Sequence, residues 1–454
     1  MRAMTLSELQ TPLAAQLLGV DQAFTGVSTD SRNVRSGDLF VALRGEQFDG
    51  HDYLQQVESA GAAAALVSDP RASSLPQLQV ADTLQALGRL GAFNRQLYSG
   101  PLVAITGSSG KTTVKNMVHA VLSRRGETLA TEGNFNNEIG VPLTLLRLRP
   151  EIAYAVVEMG AAKAGDIDWL CELARPTVAL LLNAMPAHLQ GFGSVDGVAA
   201  AKGEIFDRLG ASGVAVINAD QPWAKQWRKR AGAATVLDFA LQQPAAISAR
   251  GIQSRGVDGI GFTASTPVGD IAMRLALPGV HNVANALAAV AVGLACQIPL
   301  TDIRDGLESL RPVDGRLRAL RSPQGAIIVD DCYNANPGSV RAAIDMLAAC
   351  PGRRTLVLGA MRELGDGSSA LHRDIGAYAQ AAGIEQLWGV GPELDVCVTA
   401  FGAGGRHFED RAAALAALAG AFGEGDTVLI KGSRSAGMEQ VLHALLPDST
   451  AQEH

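Results

Sequence analysis

Ile105-Thr106-Gly107-Ser108-Ser109-Gly110-Lys111-Thr112-Thr113 is the stretch on which the reading of this chain turns. An apolar run, 102–105, precedes it and an amphipathic segment, 112–124, follows. The spacing therefore predicts a strand, a glycine-bearing loop and a helix. Glycines let backbone N–H groups close around phosphate oxygens, the helix N-terminus adds positive potential, Lys111 supplies a point charge, and a threonine hydroxyl can reach Mg²⁺. Ile105 stands where the general phosphate-loop pattern has its first glycine, so the weight of the match comes from its strand-to-helix setting. Gly107, Ser108, Ser109, Gly110, Lys111, Thr112 and Thr113 are the residues expected to meet a nucleotide.

Outward from this loop the pattern alternates: strands at 102–105, 153–157, 178–182 and 214–217, helices at 112–124, 166–173 and 195–209. Alternating βα units wind into a mostly parallel sheet. Upstream, strand-like 38–43, helical 51–60 and apolar 62–67 read as a small α/β unit, closed by a turn-rich segment at 69–76 and a helix at 83–98. Downstream, a polar, β-rich stretch at 245–277 ends in Pro278-Gly279 and leads into an Ala-rich helix, 282–295. After Arg311-Pro312 a further set of strands, 327–329, 355–358, 387–390 and 428–430, alternates with helical segments in a Rossmann-like manner. The expectation is an α/β protein of three domains, 1–84, 85–312 and 313–454, in keeping with 454 residues at roughly 150 per domain.

Composition narrows the function classes. With 47% hydrophobic and 18% charged residues the chain can bury full cores, which excludes disorder. A net charge of -7 with scattered Lys and Arg gives no footprint for a nucleic-acid backbone, so an anionic ligand must be met by local groups. Five scattered cysteines without a CxxC pair suit reduced thiols in a cytoplasm. Residues 1–20 mix polar with apolar side chains, unlike a signal peptide, and the longest apolar run, 286–296, falls short of the roughly 20 residues that span a bilayer. Membrane insertion is not expected.

Glu158 closes the strand at 153–157, at the end where open α/β sheets place their ligand crevice, and offers a hard oxygen for Mg²⁺. The competing reading is a solvated strand-end carboxylate. His188, alone in a loop, and Lys202, in a helix, would by default be solvated, and neither carries function on pattern alone.

Taken together, Gly107 to Thr113, Glu158, His188 with Lys202, His281-Asn282-Val283-Ala284-Asn285, Gly315-Arg316 and Asp330-Asp331 resemble the Mur ligase family in order and spacing over nearly the whole chain. Within it, Asn134-Phe135-Asn136-Asn137-Glu138-Ile139-Gly140-Val141-Pro142, Glu158-Met159-Gly160, Tyr333-Asn334-Ala335-Asn336-Pro337 and Glu363-Leu364-Gly365 look like the members that add D-alanyl-D-alanine to UDP-N-acetylmuramoyl-tripeptide. Asp30-Ser31-Arg32, Gly37 to Leu43 and Asp49-Gly50-His51-Asp52 look like the family's N-terminal UDP-precursor module. Cys332 and Ala360 depart from the usual small hydroxyl residue and aspartate, outside the phosphate and metal positions.

The resemblance implies a cytoplasmic, monomeric ATP-dependent ligase in which the tripeptide carboxylate attacks the γ-phosphate and the dipeptide amine then displaces phosphate from the acyl phosphate. It implies Lys111 on the β- and γ-phosphates, Thr112 and Glu158 on a first Mg²⁺, and His188, Glu158 and a carbamylated Lys202 on a second. It also implies Asn282, Arg316 and Asp331 at adenine, phosphate and ribose; helix capping for Asn282 and surface ion pairing for the other two are the plain alternatives. Ser31, Arg32, Asn134, Asn137, Asn334 and Asn336 are the implied contacts to the UDP-precursor and dipeptide substrates. Other ligases of the superfamily, the tripeptide-forming enzyme or folylpolyglutamate synthase, would share Lys111, Glu158 and Lys202. A nucleotide-binding scaffold without catalysis would need only the phosphate loop.

Overall fold

Strand Leu102–Thr106 is buried at all five positions, as in a strand covered on both faces. Leu102 and Ala104 join one core with Val141, Leu145, Ile167 and Leu170; Val103 and Ile105 join the other with Val114, Val118, Val283 and Leu287. That alternation is the two-residue period of a strand. The computed structural model describes all residues except Glu46, Ala187, His188, Ala419 and 447–454, and the side chains of Leu189, Gln190 and Asp366 lie outside the described set.

The central sheet has nine strands in the order Gly269–Leu275, Ile260–Thr266, Ile247–Ser254, Thr235–Ala240, Val214–Asn218, Val178–Leu181, Leu102–Thr106, Tyr154–Glu158, Thr128–Ala130. It is parallel from Thr128–Ala130 through Ile247–Ser254 and antiparallel over the last two pairs. The chain moves to one side of Leu102–Thr106 for its next two strands and to the other side afterwards. The carboxyl end of Leu102–Thr106 is thus a topological switch point, where open α/β sheets bind ligands.

The N-terminal sheet has five strands, in the order Gln16–Leu18, Gln77–Gln79, Ala64–Val67, Asp38–Val41, Gly26–Ser28, with Met4–Thr5 and Ala23–Phe24 paired beside it. The third sheet has six, in the order Arg318–Arg321, Ile327–Asp331, Asp426–Lys431, Arg353–Gly359, Gln386–Val390, Gly405–Phe408, parallel except for its first pair. The α/β class with three sheet-centred units matches the sequence reading. Two expected helices are broken: 195–209 is a helix Val195–Gly203 followed by a 3₁₀ turn Glu204–Phe206, and 51–60 begins with a 3₁₀ turn Gly50–Tyr53 before Leu54–Ser59. The first break falls at Gly203, where a Cβ would stand 3.0 Å from the Trp227 ring, and glycine is a weak residue for continuing a helix.

Helix Thr83–Gln96 joins the first two units. Asp82 caps it by accepting the N–H groups of Leu84 and Gln85. Its Ala86, Leu87 and Leu90 pack into the N-terminal core together with Leu146 of the central unit. At its far end buried Arg95 donates to the carbonyls of Ala174 at 2.7 Å, Tyr98 at 2.6 Å and Arg175 at 3.0 Å. Arg95→Met would leave three carbonyls short of a donor, at about 3 kcal/mol. We expect the thermal midpoint to fall by roughly 5–10 °C; differential scanning calorimetry checks this, and an unchanged midpoint would remove Arg95 from the account of stability.

Among the described residues no helix is long and apolar enough to cross a membrane. All five cysteines are free thiols.

Candidate active site

At the switch point the structure opens a cleft of about 1180 Å³, lined by the central and third units and by Leu84 and Gln85 of the joining helix. Its floor is the loop from Gly107 to Lys111. Gly110 has φ of 83°, and a Cβ there would lie 2.9 Å from Asn285 Oδ1, so only glycine serves at this left-handed, crowded position. Helix Lys111–Leu122 starts without a side-chain cap, which leaves its first N–H groups for an anion. The Lys111 ammonium donates to the Gly107 carbonyl at 2.9 Å. Burial lowers its pKa, Glu158 opposes that shift, and Arg316 adds to it. These features fit a polyphosphate.

Glu158 is 2% exposed and both its oxygens are engaged. Thr112 Oγ1 donates to one at 2.9 Å and Asn136 Nδ2 to the other at 2.9 Å. Its own N–H donates to Thr131 Oγ1 at 3.0 Å, and the Thr131 carbonyl accepts from the buried Lys115 ammonium at 2.8 Å. A threonine hydroxyl and a carboxylate side by side are hard oxygen donors. Among the described residues no three His, Cys, Asp or Glu side chains converge on a metal position. That donor set suits Mg²⁺, which keeps waters and substrate phosphates in its shell and needs one or two protein oxygens.

Lys202, by default a solvated helix lysine, is 2% exposed and lines the same cleft. Its amine lies 6.0 Å from the centre of the Phe192 ring, and among the described residues no carboxylate pairs with it. Burial first, and the Lys111 charge second, push its pKa down to about 7. His188 lies outside the described residues.

The third unit closes the cleft from above. Lys431, 3% exposed, holds Asp331 at 2.5 Å and donates to the Asn334 carbonyl at 2.9 Å. Burial raises the Asp331 pKa while Lys431 pulls it back. The Arg316 guanidinium lies 4.1 Å over the Tyr333 ring, and the Tyr333 hydroxyl donates to Asn134 of the central unit. Asn336 caps helix Pro337–Ala348 by accepting the Ser339 N–H at 2.8 Å. Asn282 is not a cap: it sits in the first turn of helix Val280–Ala295, donates to the Pro278 carbonyl at 2.7 Å and accepts from Asn285 at 3.0 Å. Burial, with Lys431 adding to it, pushes the neighbouring His281 down to about 4, so its imidazole is neutral.

The cleft therefore gathers Gly107 to Thr113, Asn134, Asn137, Glu158, Lys202, Asn282, Arg316, Asp331, Asn334 and Asn336 from separate segments of the central and third units. Ser31 and Arg32 are elsewhere, on a loop of the N-terminal unit where Arg32 chelates Asp30 at 2.9 and 2.8 Å. Asn183 and Lys431 line the cleft, and Lys115 stands behind it on Thr131, the residue that holds the Glu158 backbone; the residue pattern did not single out these three. Lys115 has a visible signal in hindsight, because it falls beside the apolar stripe Val114, Val118 and Val121.

Three family models match the chain: the Mur ligase family catalytic domain over 23–95, the Mur ligase middle domain over 105–293, and the Mur ligase glutamate ligase domain over 315–434. The UDP-N-acetylmuramoyl-tripeptide--D-alanyl-D-alanine ligase of Escherichia coli K12 is 46% identical, over 99% of this chain and 100% of that protein. The ligase of the same name from Haemophilus influenzae is 40% identical over 96% and 97%. A crystal structure of MurF from Acinetobacter baumannii superposes with a TM-score of 0.93 at 36% identity, covering 99% of this chain and 100% of that one. MurF ligase from Thermotoga maritima in complex with ADP gives 0.83 at 28% identity, over 94% and 98%. With relatives this similar along their whole length, and a phosphate loop, a strand-end glutamate and a third Rossmann-like unit meeting at one cleft, the chain belongs to the Mur ligase family.

Proposed function

We propose that the chain is the ATP-dependent ligase that joins D-alanyl-D-alanine to UDP-N-acetylmuramoyl-tripeptide, giving the pentapeptide precursor of peptidoglycan with ADP and phosphate. The observation that carries this reading is full-length identity to ligases of that name, in a chain whose cleft is built for the chemistry. A carboxylate is a poor acyl donor because its leaving group would be an oxide. Attack of a carboxylate oxygen on the γ-phosphorus, with cleavage of the bond to ADP, gives an acyl phosphate. The dipeptide amine then adds to the carbonyl, phosphate departs from the tetrahedral intermediate, and the amine proton is lost.

Phosphoryl transfer asks for positioning and charge neutralisation more than covalent chemistry. In this reading Lys111 and the loop amides hold the β- and γ-phosphates, with Thr112 and Glu158 the protein ligands of Mg²⁺, which neutralises developing charge. Asn282, Arg316 and Asp331 take the remaining contacts to ATP. Asn134, Asn137, Asn334 and Asn336 face the peptide and dipeptide, while Ser31 and Arg32 serve the UDP end. Water exclusion by the third unit protects the acyl phosphate, and the Tyr333 to Asn134 hydrogen bond joins that unit to the central one. The free thiols suit a cytoplasmic setting.

Lys202 acts as its carbamate in this proposal. Carbamate formation needs a neutral amine to attack CO₂, and an amine titrating near 7 supplies one. It also replaces a buried unpaired cation with an anion facing Lys111, a favourable exchange. Lys202→Ala is expected to lower kcat by about 10²- to 10³-fold, with partial recovery on adding short carboxylic acids. ¹³C NMR of enzyme in ¹³C-bicarbonate should show a carbamate signal that the variant lacks. Loss of activity without either effect would leave Lys202 as an amine.

The reading as a whole is tested by phosphate release from ATP with UDP-N-acetylmuramoyl-tripeptide and, in turn, D-alanyl-D-alanine, D-glutamate or L-lysine. Turnover with the dipeptide alone is expected. Turnover with another amine would move the chain to a different ligase of the family, and release with none would leave the ligase fold standing and move the search to folate-type or other acceptors.

A further inference from the structure

The phosphate loop is laced to one short segment, Leu182 to Met185. The Leu182 N–H donates to the Thr106 carbonyl at 3.0 Å, and the Leu182 carbonyl accepts from buried Asn218 at 2.8 Å. The Ser108 N–H donates to the Asn183 carbonyl at 3.1 Å. The Asn183 side chain then takes both sides of Ser109: its Oδ1 accepts the Ser109 N–H at 2.9 Å and its Nδ2 donates to the Ser109 carbonyl at 3.1 Å. Ala184 N–H is held by Gln221 at 3.0 Å, and Met185 exchanges hydrogen bonds with the Ser108 hydroxyl at 3.0 and 3.3 Å.

We propose that Asn183 is a positioning residue for ATP: its carboxamide sets the peptide planes of the loop that cradles the phosphates, so that the loop is ordered before nucleotide arrives. A glycine-bearing loop of this kind has many accessible backbone states, and ordering it on binding would weaken affinity. A carboxamide is the side chain that can accept from one residue's N–H and donate to the same residue's carbonyl at once. The segment also reaches the third unit, where a Cβ on Gly338, at the start of helix Pro337–Ala348, would meet Met185 Sδ at 2.4 Å. The loop, the segment and that helix start are therefore packed in series, with Asn183 at the first junction.

The inference rests on the ATP reading of the loop but on neither peptide substrate, so it is measured with nucleotide alone. Titration calorimetry of ADP with Mg²⁺ is expected to show Asn183→Ala binding about tenfold more weakly, the loss of two hydrogen bonds. Asn183→Asp is isosteric, keeps the acceptor and loses the donor; it should weaken ADP by at least as much, with a thermal midpoint near that of the parent. In turnover, KM for ATP should rise while KM for D-alanyl-D-alanine holds. Parent-like ADP affinity in either folded variant, or a loss confined to the fraction of molecules that bind, would overturn the proposal. Parent enzyme that binds ADP yet joins no dipeptide would sink the ligase assignment and leave this one standing.

Discussion

Lys111→Met will lower kcat/KM for ligation by about 10³-fold, within the range for losing a preorganised charge from a phosphoryl-transfer site, while leaving the fold intact. Methionine matches the length of the lysine stem, so the packing of helix Lys111–Leu122 survives. What disappears is the ammonium, now resting on the Gly107 carbonyl, that would move onto the β- and γ-phosphates. Burial lowers its pKa and Glu158 offsets this only in part, so the folded protein holds this charge at a disadvantage that a bound polyanion would relieve. Removing it should leave the thermal midpoint of the nucleotide-free protein unchanged or raise it, and should abolish most of the midpoint gain on adding ATP. Lys111→Arg should not restore activity, because a planar guanidinium does not fit where a compact ammonium sits. Coupled phosphate release and ligand-dependent melting read both effects. A variant within tenfold of the parent would show that the loop amides alone carry the phosphate charge.

The parts of this molecule that were legible in the sequence are those set by local rules. The strand before the loop, Leu102–Thr106, is a continuous apolar run because both of its faces are covered, and the helix after it declares itself by its apolar stripe. Strands Thr128–Ala130 and Thr235–Ala240 escaped because one is three residues long and the other is partly exposed along most of its length, leaving little periodicity to see. Lys202 shows a different limit. Its neighbours one turn away, Val198, Ala199, Ile205 and Phe206, are all buried, so the apolar face was there to read, but a lysine on such a face is by default taken as reaching solvent. Lys431 and Asn183 are distant from the loop in sequence and matter through partners brought by the sheet order. Strand position reached Glu158 and resemblance reached Arg316 and Asp331, whereas the contacts that hold them join residues far apart in sequence and follow from the fold.

Glu158→Gln is the second substitution expected to act strongly, and it separates charge from shape. The carboxylate accepts Thr112 on one oxygen and Asn136 on the other, both at 2.9 Å. A carboxamide can keep only one of these acceptors, and its NH₂ must face either the Asn136 NH₂ or the Thr112 hydroxyl. The hydroxyl can rotate to accept, so the conflict resolves at Thr112 and the strand end keeps its place. The negative charge beside that hydroxyl is gone, however, and with it the hard anionic oxygen that a divalent cation prefers. We expect turnover to fall by about 10³-fold at millimolar Mg²⁺, on the scale of losing one fixed electrostatic contact in a water-poor site. The Mg²⁺ activation curve should shift to higher concentration, because the remaining ligands are phosphates and water. ADP affinity measured without divalent metal should be unchanged or slightly stronger, since a carboxylate near phosphate repels it. Isothermal titration with and without Mg²⁺ distinguishes the cases: weaker binding without metal would make Glu158 a loop support, and an unshifted Mg²⁺ curve would remove it from the metal's shell.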